Sequence, residues 1–405
     1  MGKRHRKKPV LMNMSREIKE DVLPRLKARY AQRGREGRSR MLDELCQDYH
    51  YERKYAIKLL RGTLPVPSGR KKPGPDPKYA VIEPIVRTIW LAAEQPCGKR
   101  LAPALELWLP HYERHYERIN GRQRQLLKSV SSATLDRLLA PARATYPLRG
   151  LSGTKPGSLL RTEIPVRTDN WDITQPGFLE ADTVAHCGGS LAGDFIWSAI
   201  FTDICSAWTD GRAVWNKGAE GVVAAVESVE AELPFELLGF DSDNGSEFLN
   251  HHLRDHFALR KKPVGFTRSR PYHKDDNAHV EQKNWMWPRQ LLGYGRLECP
   301  SLVEPINELY RQAWGPLMNF FLPGLKLAQK WRERSHWRKR YEPARTAYQR
   351  LVACEKLSRK TRRGLRDRFE SLDPFALKQD VEKRLKKILS SADVASRPSG
   401  GSAPR

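Results

Sequence analysis

Between Gly177 and Leu297 the apolar residues switch between a period of two and a helical period, and this alternation constrains the possible folds most tightly. Residues 177–186 and 194–203 alternate as strands. Ala207–Asn216 reads as a third strand, which the Asp210-Gly211 turn signal interrupts or bends. Gly218–Leu233 sets Val222, Val226, Val229 and Leu233 on one helical face. Leu237–Asp241 reads as a short buried strand and Ser246–Leu259 as a helix. Val264–Thr267 is a last strand before a polar loop and a final helix. Three antiparallel strands followed by parallel strands joined through helices make a mixed α/β sheet with helices on its faces.

Acidic residues fall at chosen points of this pattern. Asp182 sits in mid-strand, where alternation puts Leu179, Ala181 and Thr183 on one face and the carboxylate on the other. Asp243 follows the fourth strand in Asp241-Ser242-Asp243-Asn244-Gly245, and ligands of open α/β sheets gather at the carboxyl ends of parallel strands. Glu281 lies in Ala278-His279-Val280-Glu281-Gln282-Lys283-Asn284, on the expected last helix. If that helix packs beside the first strand, the three carboxylates converge. Converging carboxylates repel one another unless a cation neutralises them, and an all-oxygen cluster suits Mg²⁺ or Mn²⁺. Two such ions can clamp the attacking and leaving oxygens of a phosphoryl displacement.

Many acidic triples could be drawn from this chain, so the surrounding words matter. EADTVAH around Asp182, DSDNGSEF around Asp243 and FTRSRPYHKDDNAHVEQKN leading to Glu281 resemble the DDE transposases with a retroviral-integrase-type catalytic core, including bacterial insertion-sequence enzymes. The resemblance implies a ribonuclease-H-like fold over residues 176–298 and Asp182, Asp243 and Glu281 as catalytic ligands of two Mg²⁺ ions, with Mn²⁺ as a substitute. It also implies DNA element ends and target DNA as partners, a synaptic homo-oligomer, and a bacterial, nucleoid-associated cytoplasmic location. Two departures stand out. There is no His-His-Cys-Cys amino-terminal zinc module, since His111 and His115 lack a cysteine pair. The gap between Asp243 and Glu281 is also longer than in the retroviral enzymes, which leaves room for a small insertion before the last helix.

The flanks read as helical and basic. Residues 1–62 form a basic leader and a helix-turn-helix, with Met41, Leu42, Leu45, Cys46 and Tyr49 on one helix and Tyr55, Ala56, Leu59 and Leu60 on the next. The outward face of the second helix would offer Arg53, Lys54, Lys58 and Arg61 to a major groove. A plain helical hairpin gives the same pattern. Residues 63–78 are a Pro/Gly linker whose Arg70, Lys71 and Lys72 can lie along a phosphate backbone or in a minor groove, or serve as a bare spacer. A second helical DNA-binding region is expected over 79–145, a linker over 146–175, a basic and mostly helical region over 299–389, and a disordered tail over 390–405. Arg268, Arg270, Lys274, Lys283 and Asn284 flank Glu281 and can hold phosphates. Trp285 and Trp287 are core anchors or stack on an unpaired base.

Composition closes off other classes. Lys and Arg number 72 against 47 Asp and Glu, a net charge of +25 that points to a polyanionic partner, double-stranded DNA first. The six cysteines form no C-x-x-C pair, which fits a reducing cytoplasm without a zinc ribbon. No apolar run is long enough to span a bilayer, and the charged first residues carry no export signal. A nuclease of the same fold cuts without joining. A DNA-binding regulator with a dead core is a third class, and the presence of all three acids argues against it.

Overall fold

The computed structural model divides the chain into two units, Met1–Pro77 and Lys78–Arg405. Residues 16–62, 78–146, 173–242, 248, 251–268, 283–333 and 336–395 are described. In the first unit α1 (Arg16–Gln32), α2 (Arg35–Tyr49) and α3 (Arg53–Arg61) close over Tyr30, Met41, Leu42, Leu45, Ala56, Leu59 and Leu60. The second and third helices are the pair expected from the sequence. The first was expected only as leader, because its apolar residues are sparse and Pro24 lies inside it.

In the second unit α4 (Glu83–Ala92), α5 (Gly98–His115), α6 (Gly121–Ser129), α7 (Ser132–Leu138) and α8 (Ala140–Thr145) precede the sheet. Ser131 caps α7 by accepting the Thr134 N–H. Strands β1 (Phe178–Ala185), β2 (Ile196–Asp203) and β3 (Thr209–Trp215) pair antiparallel, while β4 (Gly239–Ser242) and β5 (Gly265–Arg268) run parallel to β1. The order across the sheet is β3-β2-β1-β4-β5. Helices α9 (Ala219–Glu232) and α10 (His251–Ala258) bury one face over Leu179, Ala181, Phe201, Val214 and Phe240.

The other face belongs to a larger core. Ile196, Ile200 and Ala213 share it with Trp90 and Trp108 of the amino-terminal helices, with Trp287 and Leu291, and with α11 (Val303–Leu309). The carboxyl-terminal helices α12 (Ala347–Ala353), α13 (Arg359–Ser371) and α14 (Pro374–Ala395) complete it through Leu351, Leu365, Val381 and Ile388. Asp373 ties the ends together. One of its oxygens caps α14 by accepting the Phe375 and Ala376 N–H groups, while the other meets His111 and His115 of α5 at 3.1 and 3.0 Å.

Three expectations need correction. β3 runs unbroken through Asp210 and Gly211, which pair with Phe201 and Ile200. The Asp-Gly signal is overridden because the glycine admits neighbours that a turn would not have: a Cβ at Gly211 would stand 3.1 Å from Ile200 and 3.3 Å from the Trp287 and Tyr310 rings. Gly211→Ala is therefore expected to destabilise the chain by about 1–3 kcal/mol through overpacking, read as a lowered melting temperature. Within the region expected to be basic and mostly helical, residues 327–333 and 336–341 form a two-stranded ribbon of β6 (Leu327–Glu333) and β7 (His336–Tyr341), whose basic residues hide a strand's apolar period. Finally, α14 continues to Ala395 instead of ending where the tail was expected to begin, and the Ser390 and Ser391 hydroxyls donate to the Lys386 and Lys387 carbonyls within it.

Candidate active site

Asp182 stands in the middle of β1, across from Ile200 of β2 and on the face away from α9 and α10. The helical stretch at residues 283–292 belongs to that side, where its Trp287 shares a core with Ile200. The half-buried carboxylate is held at both oxygens. Its Oδ1 accepts the Thr183 N–H at 2.7 Å, and its Oδ2 accepts the Asn284 side-chain amide at 2.5 Å. The amide fixes the direction of the carboxylate without neutralising it.

Asn284 Oδ1 is buried and makes no hydrogen bond among the described residues. A buried amide oxygen left open beside a carboxylate costs stability unless something electropositive meets it. The two side chains together offer the hard oxygen donors that a divalent cation takes, so the residues present fit such an ion. Among the described residues, no group of three His, Cys, Asp or Glu side chains is arranged to hold a metal.

The parallel ladder between β1 and β4 runs from Phe178↔Gly239 to Ala181↔Ser242. The residues that follow in sequence are Asp182 and Asp243. Asp243 and Glu281 themselves lie outside the described residues, as do Arg70, Lys71, Lys72, Arg270 and Lys274. Asp241 is buried, and its Oδ1 accepts the Thr267 hydroxyl at 2.5 Å, which joins β4 to β5. Glu180, its register partner on β1, is also fully buried.

Other residues singled out from the sequence take varied positions. Arg268 ends β5 and is buried, paired in register with Ser242. Lys283 is half-buried; loss of hydration, then the positive fields of Arg100 and Arg350, pull its ammonium down to about 7. In α3, Arg53 pairs with Asp43 and bonds Ser39 at 2.7 Å, while Lys54, Lys58 and Arg61 are exposed. Trp287 is fully buried and serves the core; the Trp285 side chain lies outside the described residues.

A polar chain that sequence reasoning missed lies on the same sheet. His186 Nε2 meets Ser198 Oγ at 2.8 Å, and Ser198 meets the Tyr310 hydroxyl at 2.8 Å. Burial, and then the charge of Arg289, push the His186 imidazole down to about 3, so it is neutral at physiological pH. No local signal joins these residues, because the end of β1, the strand β2 and the helical segment that continues α11 meet only in the folded chain.

No protein-family model matches the chain. The uncharacterized protein y4rM of Sinorhizobium fredii is 35% identical over 340 residues, which cover 82% of this chain and 94% of that protein. Among solved structures, the catalytic core domain of BIV integrase aligns at 15% identity and a TM-score of 0.22, covering 26% of this chain and 62% of that one. A simian T-cell lymphotropic virus intasome in complex with the PP2A regulatory subunit B56 gamma aligns at 14% identity and a TM-score of 0.25, covering 47% of this chain and 59% of that one. This chain thus spans about three-fifths of each of the two solved chains.

Proposed function

This chain belongs to the family of the Sinorhizobium fredii protein y4rM, and we propose that it is a DDE-type transposase, cutting and joining DNA with Asp182, Asp243 and Glu281 as its catalytic carboxylates. The observation that carries this is the bond from Asn284 to Asp182. Asn284 lies three residues past Glu281, and residues three apart share a helical face. The bond therefore supports a meeting of the last helix with the first strand, which the DDE arrangement requires. The Ala181↔Ser242 pair adds to it, because Asp182 and Asp243 follow these two residues in sequence and consecutive Cα atoms are about 3.8 Å apart.

Asp182, Asp243 and Glu281 would hold two Mg²⁺ ions, which stabilise the charge that builds on phosphoryl oxygens during an in-line displacement. Asn284 keeps the Asp182 carboxylate turned toward that centre. The exposed Lys54, Lys58 and Arg61 of α3 supply phosphate contacts on duplex DNA. Water breaks one phosphodiester at the element end; the freed 3′-hydroxyl then attacks a target phosphodiester, and as its oxygen bonds to the phosphorus the target's own P–O3′ bond breaks and leaves a target 3′-hydroxyl.

The decisive experiment offers a pre-cleaved, labelled DNA end and a plasmid target to the full chain with Mg²⁺. Joined product is expected; hydrolysis without any joining would instead make the protein a nuclease. Asn284→Leu is expected to lower the joining rate by about 10–100-fold and to raise the Mg²⁺ concentration needed for half-maximal rate, as loss of an outer-shell partner does. An unchanged Mg²⁺ dependence would remove Asn284 from this role.

A further inference from the structure

The ribbon of β6 and β7 is a sheet of its own, held at one end. At its foot Gly324 and Arg345 form a β-bridge, and the Glu342 N–H donates to the Lys326 carbonyl at 2.8 Å. Three side-chain bonds fasten that foot to the body. Arg100 of α5 donates to the Pro323 carbonyl at 2.7 Å, Arg350 of α12 to the Gly324 carbonyl at 2.8 Å, and Lys326 to the Cys205 carbonyl, between β2 and β3, at 2.8 Å. Beyond the foot, no side chain of the ribbon is buried among the described residues. Gln329, Glu333, Arg338 and Arg340 are exposed, and so are the Trp331 and Tyr341 rings, at 41% and 46%. A two-stranded sheet with no covered face is marginal in water.

Charge says what would cover it. Between Leu327 and Tyr341 the sequence carries six Lys and Arg against one Glu. That acid, Glu333, accepts from Arg338 at 2.8 Å. The ladder sets Lys330 opposite Lys339, Gln329 opposite Arg340 and Trp331 opposite Arg338. Like charges directly opposite one another destabilise a strand pair, and a polyanion laid along the ribbon relieves the cost. Cations on open strand edges also deter pairing with another chain, which accounts for the charge but not for an exposed tryptophan and tyrosine. Basic residues interleaved with aromatic rings suit nucleic acid, whose phosphates take the cations and whose sugars and bases take the rings. By register Gln329, Trp331, Arg338 and Arg340 share one face, so they can meet one surface together. The major groove of duplex DNA, about 12 Å wide, admits a two-stranded ribbon.

We propose that the β6–β7 ribbon is a DNA-binding arm that enters the major groove of duplex DNA, with Arg338 and Arg340 neutralising its phosphates. That the polyanion is DNA rests on the function proposed above; the projection and charge of the arm do not. Because the foot is bound to α5, to α12 and to the connection between β2 and β3, the arm fixes its duplex to the body that bears Asp182.

The test is the salt dependence of duplex binding, measured by fluorescence anisotropy with the full chain and a labelled DNA duplex. Removing one phosphate contact makes the plot of log affinity against log salt shallower by about 0.9, the change expected for Arg340→Gln. The double variant Arg338→Gln with Arg340→Gln should lose about 1.8, so that a fourfold rise in salt costs it about twelvefold less affinity than it costs the wild type. Arg340→Lys keeps the charge and should keep the wild-type slope. Both arginines are exposed, and equal melting temperatures show that the variants fold. Unchanged slopes in Arg340→Gln and in the double variant, with salt-dependent binding by the wild type, overturn the arm and leave the transposase reading standing. Shallower slopes without any joined product in the strand-joining assay keep the arm and remove the transposase reading. A wild type that binds duplex without salt dependence, or not at all, overturns both. The same titration on a separated strand tests the groove. Variants that change the slope on the single strand but not on the duplex overturn the arm's entry into a major groove.

Discussion

Asp182→Asn is expected to lower DNA cleavage and joining by roughly 10³-fold while leaving duplex affinity unchanged. The substitution keeps the size of the side chain and its place on β1, and it removes the charge that a divalent ion needs. Metal ions contribute several kcal/mol of transition-state stabilisation, and each 1.36 kcal/mol is tenfold in rate. In the function proposed above, affinity for the duplex comes from other residues, the exposed cations of α3 among them. Gel-resolved cleavage of a labelled element end, beside anisotropy on the same DNA, separates the two effects. Activity equal to wild type would end the assignment of Asp182 as a metal ligand. Loss of binding together with activity would mean that the carboxylate supports the fold instead.

Arg212→Met should be the most destabilising of the substitutions considered, by about 3–5 kcal/mol, because it leaves a buried acid without its counter-charge. The Arg212 guanidinium is 2% exposed. It donates to Gly211 O at 2.8 Å, Asp210 Oδ1 at 3.3 Å and Ser228 Oγ at 2.9 Å, and pairs with Glu232 at 3.0 Å. It thereby locks β3 to α9. Burial raises the Asp210 carboxyl above its ordinary range, and Arg212 works against that rise. Without the arginine the carboxyl rises further and the folded state holds its proton more tightly than the unfolded chain does. Stability then falls as pH climbs from the ordinary carboxylate range through the raised value, so the deficit of the variant is smaller in acid. Thermal melts across pH read both parts. A deficit independent of pH would show that lost packing, and not an unpaired Asp210, is the cause.

The sheet was largely legible before folding because alternation is a local property. Leu179 and Ala181 turn one way and Asp182 the other whatever lies beyond the strand, and the pairing of β1 with β2 and β4 keeps that division. Legibility failed where a local signal met a distant neighbour. The Asp-Gly pair of β3 stays extended because Trp287 and Tyr310 fill the space above Gly211. The ribbon of β6 and β7 went unseen because Lys330, Arg332, Arg338, Lys339 and Arg340 stand where a reader looks for apolar residues. At the candidate site, Asn284 was legible as a polar residue near Glu281 and a possible phosphate contact. Its bond to Asp182 crosses 102 positions of chain, and nothing in either neighbourhood encodes that distance.

By itself the sequence determined where the strands of the sheet lie, the face on which Asp182 stands and the net positive charge, since each follows from residue type and from a repeat of two or about 3.6. Tertiary structure alone decided that the amino-terminal helices, the stretch at 283–292 and the carboxyl-terminal helices share one core, and that the Asn284 amide meets the Asp182 carboxylate. The physical reason is that burial of apolar surface has no direction. It draws together whichever faces fit, and the charged residues carried on those faces meet as a consequence.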